Sequence, residues 1–172
     1  MWKLFDINNL TDEQYNKYFS MMSDARKEKV LRLKDVNARK RTVAAEMLVK
    51  EMLSEDICIE IADNGKPYTK DAYFSISHTE NLVVCVVSQR PIGIDIERIK
   101  PYDDRLCKRI TNEREYKYIN KDADKLWEIW TLKEAIIKKD GKGISSIKTT
   151  DTFAQINKQK YVYEDFIIHI AF

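Results

Sequence analysis

"PIGIDIERIK", residues 91–100, alternates from Ile92 onward. Ile92, Ile94 and Ile96 fall on one face of an extended strand, and Gly93, Asp95 and Glu97 on the other. This stretch ends a series of apolar segments: 72–77, 82–87 and 92–97 read as three successive strands with short gaps, which predicts an antiparallel meander. Just upstream, 57–62 (ICIEIA) alternates as another strand, and "DNGKPY" at 63–68 is a turn, since Asn-Gly and Lys-Pro both punctuate the chain.

Both flanks of this strand-rich middle read as helical. Toward the N-terminus, 2–7 (WKLFDI) is a first strand. Thr11 then precedes Gln14 by three, a capping-box spacing that starts a helix near Asp12, with Leu10 and Tyr15 placed for a hydrophobic staple. Ser23 caps a short helix over 24–33. A longer helix over 35–53 carries Val43, Ala44, Met47, Leu48 and Met52 at helical spacing on its buried face. Beyond Pro101, 103–119 and 121–140 are expected as helices, the second stopped by "DGKG" at 140–143, and 152–156 and 161–170 close the chain as strands. The order is an α+β pattern, with no repeat and no low-complexity linker.

Composition narrows the function classes. At 172 residues, 44% hydrophobic and 34% charged, the chain has the make-up of a folded domain with a real core. A net charge of +2 argues against a general nucleic-acid or membrane binder. Cys58, Cys85 and Cys107 are odd in number and widely spaced, and only His78 and His169 accompany them. Neither a zinc site nor a disulfide framework follows, and a reducing, cytoplasmic setting is expected. Residues 1–10 lack a signal-peptide apolar core, and the longest apolar run, 82–87, is too short to span a bilayer.

Four stretches could carry chemistry. Asp95 and Glu97 are i, i+2 on one strand face, where two acids repel unless they face water or share a cation. A solvated strand face and a Mg²⁺ site both satisfy the stretch taken alone, and Gly93 on that face would leave space for a ligand. In "WEIWTLKEAIIKKDGKG" (127–143), Glu134 and Lys138 share a helix face. In isolation that is an ordinary surface pair, but Trp127, Trp130 and Ile137 mark the helix as largely buried. Glu134 could supply a third carboxylate, and Lys133 and Lys138 could offset phosphate charge. In "GKPYTKDAYFSISH" (65–78), Lys66 sits in a turn, Ser75 and Ser77 share a strand face, and His78 ends the strand. Arg26, Lys29, Arg39, Lys40 and Arg41 form a basic set whose default reading is a solvated helix face, although Arg26 and Lys29 are spaced to reach one phosphate together. No Gly-rich phosphate loop and no Ser–His–Asp or Cys–His arrangement stands out. The cysteines read as core residues, Cys58 and Cys85 lying within apolar strands.

Taken jointly, GKPY, FSISH, IGIDIE and WTLKEAIIK, in that order and tens of residues apart, resemble the Sfp-type 4′-phosphopantetheinyl transferases over about residues 23–144. The resemblance implies an α+β fold of two similar lobes related by a pseudo-twofold axis, each an antiparallel sheet packed with helices, with the active site in the cleft between them. It assigns 1–90 to a lobe with the coenzyme-nucleotide elements, and 91–172 to a lobe with the metal-binding acids and catalytic helix. It implies Mg²⁺-dependent transfer of phosphopantetheine from coenzyme A to a serine of an apo acyl or peptidyl carrier protein, releasing 3′,5′-ADP, with Mn²⁺ as an alternative metal and a monomeric enzyme. Position by position, it makes Asp95, Glu97 and Glu134 metal ligands and Lys138 the lysine at the diphosphate; in the mechanism expected from this, Glu134, directly or through a water, is the general base, because it adjoins both metal and acceptor. Arg26 and Lys29 match residues at the 3′-phosphate, Arg41 and Thr42 a pair near the nucleotide, Lys66 the adenine and phosphate lysine, and Ser77 and His78 coenzyme contacts; Lys133 joins this coenzyme-binding set. The region 100–125 serves carrier-protein recognition in the family. A non-catalytic binding homologue and a Mg²⁺-dependent phosphohydrolase are the competing readings.

Overall fold

The structure is a computed structural model that describes residues 1–62 and 65–172. Among the described residues it has eight strands and six α-helices, and its packing divides the chain into two compact units, Met1–Arg90 and Pro91–Phe172. It is a mixed α+β protein with antiparallel sheets. No helix among the described residues is long and apolar enough to cross a membrane.

The first unit runs β1 (Trp2–Asp6), α1 (Asp12–Ser20), α2 (Asp24–Arg32), α3 (Val36–Met52), β2 (Glu60–Ile61), β3 (Pro67–Tyr68), β4 (Tyr73–Thr79) and β5 (Leu82–Ser88). The Thr11–Gln14 capping box forms in both directions at the start of α1, so two orphan amide donors are satisfied locally. Ser23 has the backbone of a cap, but its side chain makes no capping bond. Asp35 caps α3 by accepting from the Asn37 and Ala38 amides. α3 is buried on two sides. Ala44, Ala45, Leu48, Val49 and Met52 pack with Phe74, Val83 and Cys85 of the sheet, while Val43 and Met47 pack with Tyr18 of α1, Met22 between the helices and Val30 of α2. Each valine, leucine, methionine or phenylalanine among them contributes about 1.5–3 kcal/mol by leaving water. The charged residues Glu46 and Lys50 are carried into the interior on the same helix.

The second unit runs β6 (Gly93–Arg98), α4 (Asp104–Ile110), α5 (Glu113–Ile119), α6 (Ala123–Asp140), β7 (Lys158–Tyr163) and β8 (Phe166–Ala171). α6 is likewise buried on two sides. Leu132, Ala135 and Ile136 pack with Ala171 of β8, and Leu126, Ile129 and Ile137 with Cys107, Ile110 and Ile119 of α4 and α5. Gly141, in the left-handed region at φ 70°, ends α6 as the DGKG reading expects.

Several expectations are corrected. The meander stops after β4 and β5, because β5 pairs with β1 on one edge and β4 on the other, leaving none for β6; β6 pairs with β8 instead, in a sheet ordered β6-β8-β7. The helix expected over 103–119 is two helices, broken where Asn112 starts a new capping box with Glu115. The strand expected over 57–62 shrinks to Glu60–Ile61. The strand expected over 152–156 is a turn held by Thr152, whose amide and hydroxyl both donate to Glu115 Oε1. The last expected strand, 161–170, is a hairpin of β7 and β8, turning at Glu164 with φ 50°. Cys85 and Cys107 are buried, but Cys58 is exposed. The turn read at 63–68 lies partly outside the described residues, which omit 63 and 64; around it, Ala62 N–H donates to Lys66 O at 2.9 Å.

Candidate active site

The first unit holds a cavity of about 380 Å³ between α2, α3 and β4, lined by Arg26, Lys29, Leu33, Ala38, Arg41, Thr42, Ala45, Ile61, Pro67, Ile76 and His78. Local geometry explains the polar members. Arg26 and Lys29 sit one turn apart on α2, and Arg41 and Thr42 on the α3 face toward them. Ile76 and His78 share a face of β4, which the strand period of two demands. Arg41 Nη1 donates to Glu80 O at 2.8 Å and its Nη2 lies 3.4 Å from Asp35 Oδ2. Its Nε–H is buried without an acceptor among the described residues. A cationic donor left in that state on a cavity wall suits an anionic ligand atom. Two expected coenzyme residues of this unit stand outside the lining. Ser77, next to His78, points to the opposite face of β4 and is buried; Lys66 is half-buried and precedes the lining residue Pro67.

Behind the cavity wall lies a charged network that the sequence reading missed. Arg26, 6% exposed, donates from Nε to Glu46 Oε2 at 2.8 Å. Glu46 Oε1 is 3.9 Å from Lys50 Nζ, and Lys50 donates to the carbonyls of Glu55 and Ile57 at 2.9 and 2.8 Å. Burial pushes the Glu46 carboxyl above its usual range, and the Arg26 and Lys50 charges pull it back. The i, i+4 spacing of Glu46 and Lys50 was visible in the sequence; their burial was not.

In the second unit, β6 and α6 bring three carboxylates and a lysine together. Lys138 Nζ donates to Asp95 Oδ1 at 2.6 Å, and Trp130 Nε1 to Glu97 Oε1 at 3.3 Å. Burial raises the Glu97 carboxyl pKa first, and the Asp95 charge raises it further. The same two causes raise Glu134, with Glu97 adding to them and Lys138 opposing. The half-buried Glu97 and Glu134 therefore feel the charge of the buried Asp95, which Lys138, joined at Glu97 by Lys100, only partly offsets. Gly93 plays a different part from the one expected. A Cβ there would sit 1.9 Å from Ala135 O and 2.6 Å from Lys139 N. The space that glycine leaves holds the backbone of α6, not a ligand, and this contact seats Glu134 and Lys138 beside Asp95.

Lys133 is removed from the coenzyme set. It is fully buried, pairs with the equally buried Glu115 at 2.8 Å, and donates to the carbonyls of Ile147 and Thr150. Its ammonium fastens α6 to α5 and the following loop. A second fastening joins α6 to β8: Thr131 Oγ1 lies 2.7 Å from His169 Nδ1, and burial above all, then the Lys160 and Lys158 charges, lowers the His169 pKa to about 3. His169 is the cross-strand partner of Asp95.

The acids fit a hard divalent cation. Their donors are all carboxylate oxygens, the ligand type Mg²⁺ and Mn²⁺ take, and mutual repulsion is what a cation relieves. Among the described residues no three His, Cys, Asp or Glu side chains already form a metal cage. Mg²⁺ commonly takes only one or two carboxylates, completing its shell with water and substrate phosphate.

Residues 91–168 match the model of the 4′-phosphopantetheinyl transferase superfamily. The chain is 33% identical over 151 residues to 4′-phosphopantetheinyl transferase Sfp of Bacillus subtilis, covering 79% of this chain and 67% of that one. It is 31% identical over 150 residues to 4′-phosphopantetheinyl transferase gsp of Aneurinibacillus migulanus, covering 80% and 63%. With 4′-phosphopantetheinyl transferase psf-1 of Bacillus pumilus it shares 35% over 125 residues, covering 64% and 53%.

Proposed function

This chain belongs to the 4′-phosphopantetheinyl transferase superfamily, and from that premise we propose that it transfers 4′-phosphopantetheine from coenzyme A to a serine of an apo acyl or peptidyl carrier protein. The observation that carries the reading is the cavity that gathers Arg26, Lys29, Arg41, Thr42 and His78. Its volume is within the range of small-ligand sites, and its basic members suit the phosphates of a nucleotide.

In this reading Arg26 and Lys29 hold the 3′-phosphate, Arg41 and Thr42 the rest of the nucleotide phosphates, and His78 packs on the coenzyme. Lys66 reaches the adenine and phosphate, and Ser77 contacts the coenzyme from its own face of β4. Asp95, Glu97 and Glu134 would hold Mg²⁺ or Mn²⁺, which when bound neutralises diphosphate charge and acts as a Lewis acid at phosphorus. The serine Oγ attacks the β-phosphorus, the bond from that phosphorus to the bridging oxygen breaks, and 3′,5′-ADP leaves with the electron pair. Glu134 takes the serine proton, directly or through a water, as the acid that adjoins both the metal and the acceptor. Lys138, already beside Asp95, offsets charge on the bridge as it breaks. The family's two-lobed, pseudo-twofold fold, with nucleotide elements on 1–90 and acids on 91–172, belongs to this proposal, as do a monomeric state, a cytoplasmic setting and carrier recognition by the region 100–125.

Incubation with coenzyme A, Mg²⁺ and apo carrier proteins, followed by intact-mass measurement, tests the reading. Addition of phosphopantetheine to one serine supports it. Coenzyme A cleavage without an acceptor indicates a phosphohydrolase, and binding without transfer indicates a non-catalytic homologue; either result overturns it.

A further inference from the structure

We propose that Glu46 and Lys50, neither of which lines the cavity, tune Arg26 for the 3′-phosphate of the coenzyme. In this arrangement Glu46 fixes the direction of the guanidinium, and Lys50 cancels the carboxylate's charge so that Arg26 keeps its pull on an anion. The proposal rests on the coenzyme reading of the cavity.

Three observations carry it. First, Arg26 is 6% exposed yet lines the cavity, so its head group has little freedom except what its partner allows. That partner is Glu46, at 2.8 Å and through Nε. An arginine has five N–H donors; among the described residues only the Nε one is engaged, which leaves the Nη fork for a ligand. The Nη fork is the geometry that grips phosphate.

Second, a buried carboxylate beside a phosphate-binding arginine is a liability on its own. A lone Glu–Arg pair is neutral, and the carboxylate would repel the incoming phosphate. Lys50 changes the sum. It is 4% exposed, lies 3.9 Å from Glu46, and is fixed by the carbonyls of Glu55 and Ile57. The buried trio of Arg26, Glu46 and Lys50 therefore carries a net charge of +1 rather than zero, in a low-dielectric setting where charge acts strongly.

Third, the trio is built on rigid elements. Glu46 and Lys50 are one turn apart in the C-terminal half of α3, the same helix that presents Arg41 and Thr42 to the cavity. A positioning group placed there moves with the site rather than with a loop.

Both Glu46 and Lys50 are positioning residues, and the decisive quantity is the ratio of affinities for coenzyme A and dephospho-coenzyme A, measured by calorimetry without carrier protein. A loss of folded protein scales both affinities together and cancels from the ratio. Wild type is expected to prefer coenzyme A. Glu46→Leu combined with Lys50→Met keeps the net charge at +1 and removes the acceptor of Arg26 Nε; it should reduce that preference about tenfold, with dephospho-coenzyme A binding nearly as before. Lys50→Met alone should reduce it too, by leaving the Glu46 charge uncancelled. Glu46→Gln combined with Lys50→Met should restore it, because glutamine still accepts from Arg26 Nε and brings no charge. If Glu46→Leu with Lys50→Met keeps the wild-type ratio, the positioning role is overturned. If Glu46→Gln with Lys50→Met falls as low as Lys50→Met alone, the charge-cancelling role of Lys50 is overturned. If wild type binds neither ligand, the coenzyme reading itself fails, and this proposal with it.

Discussion

Lys138 and Asp95 are joined by a 2.6 Å hydrogen bond between α6 and β6, across 43 residues of sequence, with the Asp95 side chain 5% exposed and that of Lys138 26%. The pair anchors one end of a group that also includes Glu97 and Glu134, whose carboxyl pKa values are raised by burial first and by the Asp95 charge second.

Asp95→Asn keeps the side-chain shape and removes the charge. Carrier labelling should fall by about a hundredfold or more, while the thermal midpoint changes little, since the lost charge pairing with Lys138 is offset by relief of the repulsion from Glu97 and Glu134, and the asparagine oxygen still accepts from Lys138. Initial rates across a Mg²⁺ titration, run beside a thermal melt, check this. Wild-type rates in Asp95→Asn would remove Asp95 from the metal set.

Gly93→Ala places a methyl group where the Ala135 carbonyl and Lys139 amide already stand. Backbone cannot give way as a flexible side chain can, so β6 and α6 must separate. A loss of about 2 kcal/mol or more is expected, lowering the melting temperature by about 4–8 °C for a chain of this size, with a drop in transfer rate. A melting temperature within a degree of wild type would show that the close contact has no energetic consequence.

Lys133→Met breaks an ion pair whose two partners are both fully buried. It strands the Glu115 carboxylate and leaves the Ile147 and Thr150 carbonyls without their donor. The expected cost is about 3–5 kcal/mol, read from urea midpoints. Adding Glu115→Gln should recover part of it, because the stranded charge disappears. Strict additivity of the two changes would mean the pair is not coupled.

His169 predicts the acid limb of stability. Its folded pKa, about 3, lies below the ordinary 6.5, so protonation favours the unfolded chain. Its contribution is whole above about pH 6.5 and is lost as pH falls toward 3, at about 1.4 kcal/mol per unit. His169→Val should flatten the stability profile in that window. An unchanged slope between pH 6.5 and 4 in urea titrations would count against it.

The parts of this protein legible in its sequence are those decided by near neighbours. The Thr11–Gln14 box, the α3 stripe of Val43, Ala44, Met47, Leu48 and Met52, and the Gly141 stop each depend on residues within about one helical turn, and all form. The Asn112–Glu115 box is equally local, an Asn followed three residues on by Glu, yet the expected helix over 103–119 ran through it. The partner of β6 was not legible. It depends on which strand edges remain open after β1 has taken β5, a fact set by pairing across some 80 residues. Burial of charge was not legible either: Lys133 and Lys138 look alike in WTLKEAIIKK, yet one is sealed against Glu115 and the other reaches Asp95. Thr131, His169, Glu46 and Lys50 were missed because an isolated polar residue on an apolar helix or strand looks the same whether it decorates or fastens.

The main-chain contact at Gly93 makes the acidic group portable. Asp95 and Glu97 hang from one strand and Glu134 and Lys138 from one helix, and those two backbones touch with no side chain between them. The spacing of the acids is therefore set by bond lengths and atomic radii, not by the volumes of surrounding core residues. Isoleucines on the far face of β6 can be exchanged for neighbours of other shapes, and the rest of the unit can drift, without retuning the distance from strand to helix. The region from 91 to 140 behaves as a gauge block whose dimension survives changes in everything built around it.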